Sequence, residues 1–183
     1  RATPSVPGAR AAGVRAGDAV CTLMPTTPEI VYAALGGIAA GIACLVNWML
    51  EPAQIRDILK AARTKVLVAL GPTEGFEIWD KVQAIRAELA DTQILTADEF
   101  AGLLAAEPAE RLAFDRVRGP NDIAAYVYTG GTTGTPKLAK IAHRGLAFKC
   151  WANTEIMAHE SDETIFADYP MFHIAGFFGR CIL

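Results

Sequence analysis

From Lys65 to Leu70 the chain reads KVLVAL, and after the lysine every side chain is apolar. A strand with one wet face alternates polar and apolar residues, so an unbroken run of this kind belongs to a strand covered on both sides. DAVCTLM and IACLV upstream are similar. Between these runs stand stretches with a helical period: PAQIRDILKAAR puts Ile55, Ile58, Leu59 and Ala62 on one side, and GFEIWDKVQAIRAELA does so with Ile78, Val82, Ile85 and Leu89. PEIVYAALGGIAAG, with Pro28 at an early position, reads as a helix, and TQIL as a strand. The alternation predicts an α/β fold, a mostly parallel sheet with helices on both faces.

The pattern weakens from Asp98 to Asn121, where a short helix near Phe100 to Ala105 precedes a surface connection. IAAYVYT is then expected as a strand, Leu138 to Ile141 as another, a helix begins near Arg144, and TIFADY is expected as a further strand. The closing stretch, HIAGFFGRCIL, is apolar and unshielded, and reads as a cut through an element. Ile30 to Val46 carries no charge and approaches the ~20 residues of a bilayer span. Gly36, Gly37 and Gly41 interrupt it, and Gly41 stands where a left-handed cap would end a helix before a strand, so no membrane span is assigned.

A length of 183 residues suits one domain, able to bury roughly 70% of its unfolded surface. A net charge of -3 without a basic cluster excludes an electrostatic footprint for nucleic acid. Cys21, Cys44, Cys150 and Cys181 show no C-x-x-C spacing and read as small buried hydrophobes, not as zinc ligands or a disulfide framework. With no leader-like opening, they point to a reducing, cytoplasmic setting. Trp48, Trp79 and Trp151 read as packing residues, His159 as a solvated surface residue, and Asp168 as structural. No metal ligand is assigned.

The chemistry concentrates in Tyr128 to Lys137, YTGGTTGTPK, which follows the apolar IAAYV. Glycines let successive backbone N–H groups turn inward as an anion nest, and threonine hydroxyls and a lysine add donors. Such a cluster at the carboxyl edge of a parallel sheet suits phosphate oxygens, although a Gly/Thr loop taken alone is more often an ordinary turn. The nucleoside-triphosphatase loop requires Gly-Lys-Ser/Thr, whereas here Pro136 precedes Lys137 and Leu138 follows. The dinucleotide fingerprint requires G-x-G-x-x-G, whereas these glycines fall as G-G-x-x-G.

These ten residues resemble the signature loop of the adenylate-forming, or AMP-binding, superfamily, which includes acyl-CoA synthetases, peptide-synthetase adenylation domains and luciferases. His143-Arg144-Gly145-Leu146 is similar to the family's next helix start, and YPMFHIAG, Tyr169 to Gly176, resembles its P-x-F-H-x-x-G segment. GVRAGDAV, MPTTPE and ALGGIAAGIACLVN resemble its opening strand-helix-strand, so the likeness runs from about Gly13 to the last residue. Gly130 stands where serine is common and Leu138 where glycine is common, variants that favour the acyl-CoA synthetase branch. Nothing before Leu183 resembles the family's adenine and ribose contacts, its hinge, or its mobile C-terminal domain with the catalytic lysine. Residues 1–183 therefore look like the N-terminal part of the large AMP-binding domain.

The resemblance implies ATP-dependent activation of a fatty or aromatic carboxylic acid to an acyl-adenylate, then thioester formation with CoA, with Mg²⁺ on the triphosphate. Backbone donation would come from Gly130, Gly131 and Gly134, and hydroxyl contacts from Thr129, Thr132 and Thr133. Lys137 would be a charge partner of the phosphates. His173 would stand at the junction of acyl and nucleotide pockets as a catalytic residue, with Phe172 and Gly176 shaping the wall. His143 would cap or pack a helix. Alternatives are an adenylation domain loading a carrier protein and a non-catalytic phosphate-binding module.

Overall fold

A computed structural model describes residues 12–106, 119–129, 137–160, 162–166 and 168–181. The strands are β1 (Ala19–Leu23), β2 (Ile42–Leu45), β3 (Thr64–Ala69), β4 (Gln93–Thr96), β5 (Ile123–Thr129) and β6 (Lys137–Ala142). Between them run α1 (Pro28–Ala40), α2 (Pro52–Ala62), α3 (Ile78–Ile85), α4 (Ala97–Ala105) and α5 (His143–Met157). A terminal helical turn, α6 (Ile174–Gly176), continues into π-helical Phe177–Cys181. Among the described residues the strands form one sheet in the order β4-β3-β1-β2-β5-β6. All neighbours are parallel except β5 and β6, which pair antiparallel.

The uninterrupted apolar runs supply both faces, as expected. In β1 and β3, Val20, Val66 and Val68 join one core, while Ala19, Cys21, Leu23, Leu67 and Ala69 join the other. The first core is covered by α1, α4, the inner side of α5 and the terminal turn. The second is covered by α2 and α3, whose residues Ile55, Ile58, Leu59, Ala62, Ile78, Val82 and Ile85 are all buried. Fully burying one such large side chain contributes roughly 1.5–3 kcal/mol. The chain moves along the sheet one way from β1 to β2 and the other way through β3 and β4. The covering helix changes face with that reversal, as right-handed crossovers require.

Local chemistry sets the helix ends. Thr96 Oγ1 accepts from the Glu99 N–H at 3.1 Å and Glu99 Oε2 accepts from the Thr96 N–H at 2.7 Å, a capping box that opens α4. Gly41 ends α1, but with φ -146 rather than in the left-handed cap expected. It is needed for close approach: a Cβ would run into the Asp18 carbonyl oxygen and Val14, where the Ile42 N–H donates to that same carbonyl at 2.8 Å.

The expected strand TIFADY does not form among its described residues, and Phe166 there is exposed. A strand exists only against a neighbour, and the described residues of this stretch pair with no strand, not even with β6 at the sheet's edge. Trp151 is also exposed, because it lies on the side of α5 away from the core, whereas Trp48 and Trp79 pack as expected. Cys21 and Cys44 are buried, but Cys150 and Cys181 are only half-buried at the α5 and terminal-turn margins. His159 is partly enclosed, its Nδ1 2.7 Å from Glu163 Oε2, rather than freely solvated. Among the described residues no helix is long and apolar enough to cross a membrane.

Candidate active site

Parallel pairing of β5 with β2 puts Thr129 at the carboxyl edge of the sheet, and the antiparallel return of β6 begins at the same edge with Lys137. The two are register partners, followed by Tyr128 with Leu138 and Val127 with Ala139. Thr129 Oγ1 donates to the Lys137 carbonyl at 3.2 Å, so its hydroxyl proton is engaged within the hairpin while the oxygen keeps its capacity to accept. Lys137 is exposed and its ammonium has no carboxylate partner among the described residues. Gly130, Gly131, Thr132, Thr133 and Gly134 lie outside the described residues. Tyr128 and Leu138 pack on the α2 side, and alternation then puts Thr129 and Lys137 toward the α5 side.

The second group of expected residues is on that α5 side. Met171 is buried in its core and Phe172 packs half-buried against it. The His173 N–H donates to the Pro170 carbonyl at 2.9 Å, and the Gly176 N–H donates to the His173 carbonyl at 2.9 Å, which winds the segment into a turn. His173 caps this turn, its Nδ1 accepting from the Ala175 N–H at 3.1 Å. A neutral imidazole that accepts at Nδ1 carries its proton on Nε2. The exposed ring therefore presents an N–H donor, suited to a carboxylate or phosphate oxygen, and not a vacant basic nitrogen.

Tyr169, which the sequence reading did not single out, stacks on His173 with centroids 6.1 Å apart and planes inclined by 23°. An aromatic four residues before a histidine was the available signal. Gly176 is buried, and a side chain there would collide with the Pro170 backbone. His143 is the first residue of α5 rather than its cap, and its N–H donates to the Asp122 carbonyl at 3.0 Å.

The buried Cys44 thiol is a poor nucleophile. Cys21 and Cys44 are register partners on β1 and β2, and the hydrogen bond from Cys21, together with burial, pushes the Cys44 thiol well above its ordinary range. Asp168 is exposed, and among the described residues no group of three or more His, Cys, Asp or Glu could hold a metal ion.

The sequence profile of the family described as AMP-binding enzyme matches residues 9–183. The chain belongs to the AMP-binding enzyme family. Marinolic acid–CoA ligase of Pseudoalteromonas sp. (strain SANK 73390) is 28% identical over 175 residues, covering 88% of this chain and 27% of the relative. The 4-coumarate–CoA ligase 3 of Oryza sativa subsp. japonica is 31% identical over 179 residues, covering 91% of this chain and 31% of the relative. The anthranilate CoA ligase AuaEII, solved in complex with anthranoyl-AMP, superposes with a TM-score of 0.84 at 24% identity, covering 96% of this chain and 34% of that one. At that identity the likeness speaks for the fold. The chain spans about a third or less of the length of these AMP-binding relatives.

Proposed function

We propose that the whole protein, of which residues 1–183 are the N-terminal part of the large AMP-binding domain, is an acid–thiol ligase. It would convert a fatty or aromatic carboxylic acid, with ATP, to an acyl-adenylate and then to a CoA thioester. A carboxylate is a poor acyl donor because oxide would have to leave. Attack of a carboxylate oxygen on the α-phosphorus expels pyrophosphate and makes AMP the leaving group. The CoA thiol then adds to the acyl carbon and AMP departs.

Two anions meet in the first step, so the site must neutralise charge on the triphosphate. The supporting observation is that Thr129 and Lys137, the two ends of the glycine/threonine segment, stand together at the carboxyl edge and toward the face that carries Phe172, His173 and Gly176. In this reading Lys137 and the backbone N–H groups of Gly130, Gly131 and Gly134 hold the departing pyrophosphate, with the hydroxyls of Thr132 and Thr133. Thr129 would accept or turn to donate. His173 would donate from Nε2 to the reacting carboxylate, positioned by Tyr169 and by its bond to Ala175, with Phe172 and Gly176 bounding the acyl pocket. Mg²⁺ would ride on the phosphates and partly offset their charge. A reducing, cytoplasmic setting belongs to the same proposal, supported by four free thiols.

The test is ATP–pyrophosphate exchange by the whole protein, with magnesium and a panel of fatty and aryl acids, followed by CoA as acceptor. Acid-dependent exchange is expected; none with any acid would overturn the proposal. Transfer to a phosphopantetheinyl carrier in place of CoA would reassign the protein to the carrier-loading branch.

A further inference from the structure

We propose that the outer face of α5 and residues 162–166 and 168–174 form an internal interface, closed in the folded protein by the part of the AMP-binding domain beyond residue 183. Among the described residues nine large hydrophobic side chains are exposed, and seven of them lie between positions 148 and 174. Exposure reaches 64% at Phe148, 60% at Trp151, 80% at Ile156 and 84% at Phe166. Single exposed apolar residues are normal, but a contiguous apolar surface on a monomer marks a contact.

The pattern within α5 points the same way. A helix advances about 100° per residue, which puts Phe148 and Trp151 opposite Leu146 and Cys150. Leu146 is the one buried residue of α5 and it faces the sheet, yet the two aromatic side chains of this helix stand on the opposite side, around Glu155. A surface helix normally turns its large apolar side chains inward, whereas α5 turns Phe148 and Trp151 outward. Phe148 and Trp151 already touch, with ring centroids 5.8 Å apart. Beside them, β6 has a single sheet neighbour among the described residues, and a recess of about 250 Å³ opens between β6, Leu146, Ile174 and Phe178.

The occupant follows from length and charge. Relatives matched over 88–91% of this chain are covered over only 27–31% of their own length, so more than two thirds of the family's polypeptide lies outside it. The exposed apolar residues are concentrated at the carboxyl-terminal end of the matched region, where that polypeptide joins. Glu155 stands within the apolar face and the chain carries a net charge of -3, which disfavours an anionic lipid surface. This inference rests on family membership and not on the proposed reaction, so either can fail alone.

The test measures maleimide labelling of Ile156→Cys in the whole native protein, against Glu74→Cys, an exposed site in the segment before α3. Labelling at position 156 is expected to be at least 100-fold slower than at position 74. Equal rates would overturn the proposal. Hydroxyl-radical footprinting of the unsubstituted protein needs no variant: Trp151 should be oxidised several-fold less than Phe76, and oxidation at the rate of an open side chain would overturn it. A natural protein that ends at residue 183 and buries these side chains against a second copy would overturn the assigned occupant.

Discussion

Replacing Gly176 by alanine tests the turn that holds His173. A methyl at this position would lie 2.7 Å from the Pro170 carbonyl carbon and 2.8 Å from the Tyr169 carbonyl oxygen, with the Pro170 carbonyl oxygen closer still. All three are backbone atoms, so none can swing aside as a side-chain end could. The overpacking should cost about 1–3 kcal/mol. At roughly 2–4 °C per kcal/mol for a unit of this size, Tm should fall by about 2–12 °C. The same Pro170 carbonyl accepts the His173 N–H, so the displacement passes to the imidazole. Since an error of about 1 Å at a reacting group can cost 10²-fold, a shift of a few tenths of an ångström should lower kcat/KM for adenylation by roughly tenfold.

Gly179, three residues on, provides the contrast. There the atoms nearest to an added Cβ are the Ile174 carbonyl oxygen and Lys149 Nζ, both at 3.7 Å, so alanine should leave Tm unchanged or raise it. Circular-dichroism melts and pyrophosphate exchange on both variants of the whole protein give the comparison. If Gly176→Ala melts with the parent and keeps its rate, the close approach at Pro170 is not what holds His173. If both variants fall equally, the effect belongs to the helical turn in general.

Other outcomes can be checked separately. Lys137→Ala should slow pyrophosphate release in the whole protein without lowering Tm, because Lys137 is exposed and unpaired with any carboxylate among the described residues; an unchanged adenylation rate would remove it from the mechanism. Thr22 buries its hydroxyl in β1 with no hydrogen-bond partner among the described residues. Thr22→Val keeps the shape and removes the orphan group, so stability should rise by about 1 kcal/mol, and a fall in a denaturant titration would show that the hydroxyl is satisfied. The Glu88 carboxyl is held below its ordinary value of 4.5 chiefly by the Lys60 ammonium at 2.8 Å, aided by Arg56. A lowered folded value means stabilisation that is present above the ordinary value and lost as pH falls through the folded one. Glu88→Gln should therefore flatten the acid limb of a Tm–pH profile below about pH 4.5, and an unchanged limb would show the ion pairs to be idle.

The sheet was legible because burial on both faces leaves no freedom in composition: Val66, Leu67, Val68 and Ala69 can only be apolar where helices cover them from either side. The stripes of α2 and α3 were legible for the matching reason, one covered side at helical spacing. Reading failed where the deciding atom is far away in sequence. Gly41 is fixed by the Asp18 carbonyl, not by the helix it ends. TIFADY has strand composition, but among its described residues it pairs with neither edge of the sheet, and Trp151 has the composition of a core residue on a face the described chain leaves open. At the site, the glycine/threonine segment and His173 were visible as motifs. The tautomer of His173 was not, since it depends on which backbone N–H its ring accepts.

The Thr129–Lys137 pair has a consequence for how the segment between its two members can vary. Both ends rest on one rung of an antiparallel ladder, so a residue gained or lost between them changes the span without changing where either end is anchored. A residue lost within β6 acts differently, because strand side chains point alternately to the two faces. It would carry the ammonium of Lys137 to the opposite side of the sheet although the sequence of the glycine/threonine segment is unaltered.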